Sequence, residues 1–240
     1  MIRIFQDPDT LLPALAEFVV SRAKTSIEKE GRFNFVLSGG SSPKKLYELL
    51  ASDTYRDKID WTNVYFFFGD ERYVPSDHKD SNFLMAKTTL FDPLKIDASH
   101  IFSVDTKLSP AEAAASYEKL IRQHFAGESR FDVVLLGLGD NSHTASLFPH
   151  TAVLQEKKAL VKEAFVKEVN MYRITFTAPL INLAHSIAFL VYGKAKAEAV
   201  RHIMKDPLNI EEYPAQLVNP VNGELHWFLD EAAAALIKEI

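Results

Sequence analysis

The stretch FDVVLLGLGDNSHTASLFPH, residues 131–150, runs an apolar segment straight into a polar loop that carries His143. An imidazole has an ordinary pKa of ~6.5, so at neutral pH it can take a proton from water in a transition state. A histidine between a buried strand and a helix start is either such a base or a cap without chemistry, and the loop alone leaves both open. Metal binding is poorly supported, because His143 and His150 lack the i, i+4 spacing of a helical zinc pair. A serine triad is poorly supported too, since no Gly-x-Ser-x-Gly elbow occurs in the chain.

Three other loops carry groups that recognise anions. Ser38-Gly39-Gly40-Ser41-Ser42-Pro43 follows the apolar run FNFVL. Its glycines would let backbone N–H groups approach a ligand, and a helix start behind them would add a positive dipole end. The alternative is a tight turn with Ser42 as N-cap and Pro43 in the first helical position. Gly69-Asp70-Glu71-Arg72 follows VYFFF; its guanidinium either clamps an anion with two parallel hydrogen bonds or pairs internally with Asp70 or Glu71. Gly193-Lys194-Ala195-Lys196 follows SIAFLVY, and a lysine in a first helical turn opposes the macrodipole unless an anion neutralises it.

The elements that must position these loops are legible from periodicity. IRIF, FNFVL (33–37), VYFFF (64–68), residues 132–136, MYRITFT, SIAFLVY and LHWFL are expected strands. Helices are expected over 9–30, behind Pro43, around NFLMAKTTLF, from the SPAE capping box at 109–112 to Phe125, over GKAKAEAVRHIM, and at the C-terminal end behind Asp230 as cap. Strands that alternate with helices, several of them continuous apolar runs, predict an α/β fold of the doubly wound, Rossmann-like type: a mostly parallel sheet with helices on both faces. One domain over residues 1–240 is expected. In such sheets ligands bind at the carboxyl ends of the strands, which is where all four polar loops would lie.

Bulk composition narrows the chemistry further. A net charge of -5 over 240 residues argues against non-specific nucleic-acid binding. The absence of cysteine excludes disulfides, thiolate metal sites and a cysteine nucleophile. MIRIFQDPDT lacks the basic-then-apolar pattern of a leader, and the apolar runs fall short of the ~18–20 residues of a membrane span. A cytoplasmic protein without membrane or nucleic-acid partners is expected, as a monomer or small homo-oligomer.

The set SGGSSP, GDERYVPSDHKDSN, GLGDNSHTASLFP, RITFTAPLIN and GKAKA, in this order over residues 38–197, resembles the 6-phosphogluconolactonases of the wider sugar-phosphate family that includes glucosamine-6-phosphate deaminase. WFLDEAAAAL resembles the family's C-terminal end. The resemblance implies a sugar-phosphate isomerase type of fold and hydrolysis of 6-phospho-D-glucono-1,5-lactone to 6-phospho-D-gluconate, a step of the oxidative pentose phosphate pathway. No cofactor or metal is implied, and the partner is a small phosphorylated sugar lactone. Ser38, Gly39, Gly40, Ser41 and Ser42 would hold the phosphate. Arg72, Arg173 and Lys196 would surround the phosphate and sugar acid with positive charge. His143 would be the general base, with Asn141 and Asp140 as its catalytic neighbours.

The family usually reads Asp-Gly-His where this chain has Asn141-Ser142-His143, and glycine where His150 stands. Asn141 keeps an oxygen acceptor but loses the carboxylate, which Asp140 is the nearest residue to replace. Ser142 loses glycine's freedom at positive φ. The deaminase branch reads His-Ile-Ala-Phe-Asn-Glu-Pro where His143-Thr-Ala-Ser-Leu-Phe-Pro149 stands here, so the Asn-Glu pair suited to enolisation is missing. A non-catalytic sugar-phosphate sensor is the other alternative, and no appended basic or helix-turn-helix segment supports it.

Overall fold

The computed structural model describes residues 1–237. A six-stranded sheet forms its centre, in the order β1-β9-β8-β5-β2-β3 with every neighbouring pair parallel. The strands are β1 (Ile2–Phe5), β2 (Phe33–Leu37), β3 (Val64–Phe68), β5 (Val133–Leu136), β8 (Ser186–Val191) and β9 (Glu224–Asp230). These are the runs that the sequence marks as buried on both faces. Alternate side chains feed separate cores. Phe35, Phe66, Leu135 and Leu190 pack on one side of the sheet, while Val36, Phe67, Leu136 and Phe189 pack on the other.

On the first side lie α1 (Pro8–Glu30) and α2 (Ser41–Leu50). Alongside them, α3 (Asn82–Ala86) passes through a π-helical turn at Lys87–Phe91 into α4 (Asp92–Leu94), so the expected NFLMAKTTLF helix is two short pieces around a wider turn. α1 begins with a capping box between Asp7 and Thr10 and ends at Gly31, whose φ of 72° places it in the left-handed cap conformation. On the second side lie α5 (Pro110–Phe125), α6 (Ala178–Ile181) and α7 (Ala197–Lys205). The Ser109/Glu112 capping box opens α5 as its sequence predicts. Lys194–Lys196 form a 3₁₀ turn ahead of α7, which therefore starts later than the GKAKA pattern suggests.

The mostly parallel architecture holds, with an addition that the pattern of apolar runs does not reveal. A second sheet is antiparallel and has three strands in the order β4-β7-β6: β4 (Asp70–Arg72), β7 (Met171–Phe176) and β6 (Val161–Val166). It hangs from the main sheet where Phe176 N–H donates to Gly69 O at 2.8 Å, just beyond the end of β3. MYRITFT thus forms a strand as expected, but of this smaller sheet. The C-terminal helix expected after β9 is described only to Ile237. Residues 231–237 form turns, with Ala233 N–H donating to Asp230 at 2.7 Å as the cap expectation requires, and residues 238–240 lie outside the described part.

The chain winds outward from β2 to β3, then returns to lay β5 on the opposite side of β2. That reversal puts the carboxyl ends of β2 and β5 side by side, the place where an open parallel sheet leaves a crevice. No described helix is long and apolar enough to cross a membrane.

Candidate active site

The crevice is a cavity of about 250 Å³. Ser38 to Pro43 wall one side, Gly137 to Gly139 and His143 to Ala145 the other, and Asp70, Arg72, Tyr192 and Lys196 complete it. The segments after β2, β3, β5 and β8 therefore do converge, the one after β3 as the short strand β4 and not as a loop. A second recess of about 460 Å³ shares Asp70, Arg72, His143 and Ala145 with the first and adds Asp140, Asn141, Glu168 and Arg173.

The loop after β2 starts from a pinned strand end. The buried Tyr47 hydroxyl donates to Ser38 O at 2.8 Å and accepts from Ser38 N–H at 2.9 Å, and burial raises its pKa. Gly39 sits against Asn82, where a Cβ would lie 2.0 Å from Oδ1. Gly40 takes φ 109° and is the N-cap, so α2 begins at Ser41. The expectation of Ser42 as cap and Pro43 as first residue is corrected by two positions: only a glycine reaches Gly40's backbone geometry without strain, and the helix starts directly behind it. No side chain caps this end. The first intrahelical bond is Lys44 N–H to Gly40 O, and Pro43 has no N–H, so the Ser41 and Ser42 N–H groups are left for a ligand in the crevice.

The imidazole of His143 is held from several directions. It stacks on Phe148 with ring centroids 3.8 Å apart. A Cβ on Gly139 would lie 2.0 Å from its Nδ1, so that position admits only glycine while the ring stays where it is. Asn141 Oδ1 accepts from Nδ1 at 2.5 Å, and Asn141 Nδ2 donates to the two Glu168 carboxylate oxygens at 3.4 and 3.1 Å. Nε2 is thereby the nitrogen left with a lone pair. Burial pushes the ring's pKa down to about 4; the nearby Asp70 opposes this, and the Lys196 and Arg173 cations add to it. At neutral pH the ring is a proton acceptor.

Asp140 does not hydrogen-bond the imidazole. Its Oδ1 accepts from Lys196 Nζ at 2.6 Å, which holds that lysine over the crevice. Lys194 does not line the cavity.

Internal pairing of Arg72 with its acidic neighbours is also not what forms. Glu71 accepts from the N–H groups of Arg72, Asn82 and Phe83 and from the Ser81 hydroxyl, capping α3. Asp70 accepts from the Ser146 hydroxyl at 2.6 Å and from Asn82 Nδ2 at 3.3 Å. Arg72 Nη1 donates to Asp80 O, and its Nε is buried without a partner among the described residues. Arg173 faces Arg72 directly across the β4–β7 ladder, and its Nε and Nη1 are likewise buried and unpartnered. Like charges opposite each other across a strand pair are destabilising. Two guanidiniums with orphan donors at the mouth of a crevice are an arrangement that an anion completes.

A family model described as glucosamine-6-phosphate isomerases/6-phosphogluconolactonase matches residues 6–227. The chain belongs to that sugar-phosphate family. Among its relatives, a 6-phosphogluconolactonase of Nostoc sp. is 42% identical over 239 residues, covering 98% of this chain and 97% of that protein. One from Synechocystis sp. is 40% identical over 220 residues, covering 90% and 89%. The solved 6-phosphogluconolactonase of Thermotoga maritima shares the fold with a TM-score of 0.83 at 30% identity, covering 96% of this chain and 99% of that one.

Against the family's usual Asp-Gly-His, Ser142 adopts the left-handed conformation that a glycine would take freely, with φ 63°, and is buried. The neighbouring segment supports it, since Ala215 N–H donates to Ser142 O at 3.0 Å. Two site residues have no local signal in the sequence: Tyr192, in the crevice wall, and Glu168, which reaches Asn141 from a turn 27 residues away.

Two half-buried histidines set a pH response. Both His143 and His124 sit near 4 in the folded chain, for burial first in each case, against an ordinary 6.5. Between these values the unfolded chain binds protons that the folded chain refuses, so stability rises with pH there. The contribution is complete above about 6.5 and is lost as pH falls through about 4. The melting temperature is expected to drop on acidification across that window, and a flat profile by calorimetry would contradict the burial argument.

Proposed function

We propose that this chain hydrolyses 6-phospho-D-glucono-1,5-lactone to 6-phospho-D-gluconate, with His143 as general base and no metal or cofactor in the reaction. The observation that carries the reading is the shared cavity. A neutral imidazole and an uncapped, glycine-fronted helix start face the same space, and cations border it.

The phosphate sits against the Ser38–Ser42 loop, where the Ser41 and Ser42 N–H groups and the serine hydroxyls donate to it. Arg72 and Lys196 border the same space, and Arg173 lies in the adjoining recess. With that end fixed, the lactone carbonyl is presented to a water beside His143, which removes the entropy cost of assembling the reactants. Nε2 takes the water proton as oxygen attacks C1. The tetrahedral oxyanion is met by donors already in place, backbone N–H groups or a guanidinium. As the intermediate collapses, the C1–O5 bond breaks and the imidazolium returns its proton to O5; the new carboxylic acid carries the water's second proton and releases it to solvent, which leaves a carboxylate product and an unchanged enzyme. The Asp140–Lys196 pair holds the lysine so that its charge stays near the sugar acid.

Acid release from freshly prepared lactone, followed with a pH indicator after subtraction of spontaneous hydrolysis, is expected to exceed background by orders of magnitude. Glucosamine 6-phosphate is expected to yield no ammonia. A lactone rate equal to background overturns the reading, and ammonia release assigns the chain to the deaminase chemistry of the same family.

A further inference from the structure

We infer that Glu168 is a positioning residue for the base, acting through Asn141 to fix which nitrogen of His143 carries the proton. The inference rests on the lactonase reading, but it concerns a feature of this chain that the reading leaves unexplained. An aspartate at position 141 would accept from Nδ1 with either oxygen, so its orientation would not matter. An asparagine has one accepting and one donating end of nearly equal size. Turned one way, Oδ1 accepts from Nδ1–H and Nε2 is a base. Turned the other way, Nδ2 donates to Nδ1, the proton moves to Nε2, and the ring presents an acid where the attacking water needs an acceptor.

Two neighbours choose between these states. The His143 backbone N–H donates to Asn141 Oδ1, but at 3.3 Å, which is a weak bond. Glu168 supplies the stronger selection. Its carboxylate accepts only, and both of its oxygens face Asn141 Nδ2, at 3.4 and 3.1 Å. Reversing the amide would set Oδ1 against a carboxylate and lose a charge-assisted bond. Glu168 is placed for this by the 3₁₀ turn Lys167–Val169 between β6 and β7, the same hairpin that carries Arg173. The turn between β6 and β7 thus delivers the carboxylate that position 141 lacks, one hydrogen bond removed from the ring. Asp140 does not provide it, being engaged with Lys196.

The test is a comparison of Glu168→Gln in two backgrounds. In the wild-type chain, Glu168→Gln keeps size and removes the acceptor-only character. It is expected to lower kcat about tenfold with KM unchanged, the weight of one hydrogen bond to a charged group at an open rim. In an Asn141→Asp background the same change is expected to cost no activity, because either aspartate oxygen accepts from Nδ1 and Glu168 there only sets a second carboxylate against the first. Equal losses in both backgrounds would show a merely structural role and overturn the inference, as would no loss in the first. A second readout needs no turnover. In the ¹⁵N spectrum of histidine-labelled protein at neutral pH, with His143 assigned by its loss in His143→Ala, Nδ1 is expected to be protonated and Nε2 bare in the wild type. In Glu168→Gln the two forms are expected to mix; an unchanged ring overturns the inference. Absence of lactone hydrolysis in the wild type would instead sink the functional reading, and the ring spectrum would still judge the role of Glu168.

Discussion

Replacing His143 with alanine is expected to lower kcat for lactone hydrolysis by about 10²–10⁴-fold, the usual weight of a positioned general base, while 6-phosphogluconate still binds. The size of the loss follows from what else the crevice contains. Asp70 is engaged by Ser146 and Asn82, and Asp140 by Lys196. The cations cannot accept a proton. The imidazole is held neutral by burial and by neighbouring positive charge, and its Nε2 has no donor assigned to it. Binding is preserved because the helix start at Gly40–Ser42 and the guanidiniums belong to other elements. Stopped-flow acid release and calorimetric titration with 6-phosphogluconate separate the two quantities. A variant with near wild-type kcat would remove His143 from the reaction.

The second large effect has opposite signs in two assays. Arg173→Met keeps most of the side-chain length and discards the charge. Substrate capture is expected to weaken by about 100-fold in kcat/KM, corresponding to roughly two charge-assisted hydrogen bonds. Stability is expected to rise, by about 1–3 kcal/mol, because buried donors without partners disappear and Arg72 loses a like charge directly across the ladder. Asp70 retains its bonds from Ser146 and Asn82, so the loss of a neighbouring cation does not strand it. Denaturant unfolding and steady-state kinetics on one preparation decide the matter. A variant that both binds poorly and unfolds more easily would make the guanidinium part of the scaffold.

The main sheet could be read from the sequence because β2, β3, β5 and β8 are buried on both faces, and a continuous apolar run records that condition directly. β6 escapes the same reasoning. Its residues Val161–Val166 include Lys162 and Glu163, both half-buried, and an exposed Phe165, so no clean alternation marks the strand. With β6 unseen, the small sheet is invisible, and β7 is recognised as a strand without its partners. The same gap hides Glu168, since nothing local ties a turn after an unrecognised strand to Asn141. His143, Arg72 and the Ser-Gly-Gly loop are legible because each stands just past the end of a recognisable strand, whereas Lys196 is separated from Lys194 only by resemblance to a family. Arg173 was reached only through resemblance to a family. That Ser142 would hold a positive φ despite its side chain could not be inferred from residue type, because the support comes from the distant 205–220 segment.

The joint at Gly69–Phe176 has a wider meaning for selectivity. His143 and the Ser38–Ser42 loop follow β5 and β2, neighbouring strands separated only by β-ladder spacing, roughly 4.8 Å, whereas Arg72 and Arg173 stand opposite each other in the smaller sheet. On the lactonase reading, the separation between the imidazole and the guanidiniums is therefore set by how the smaller sheet packs on the larger one.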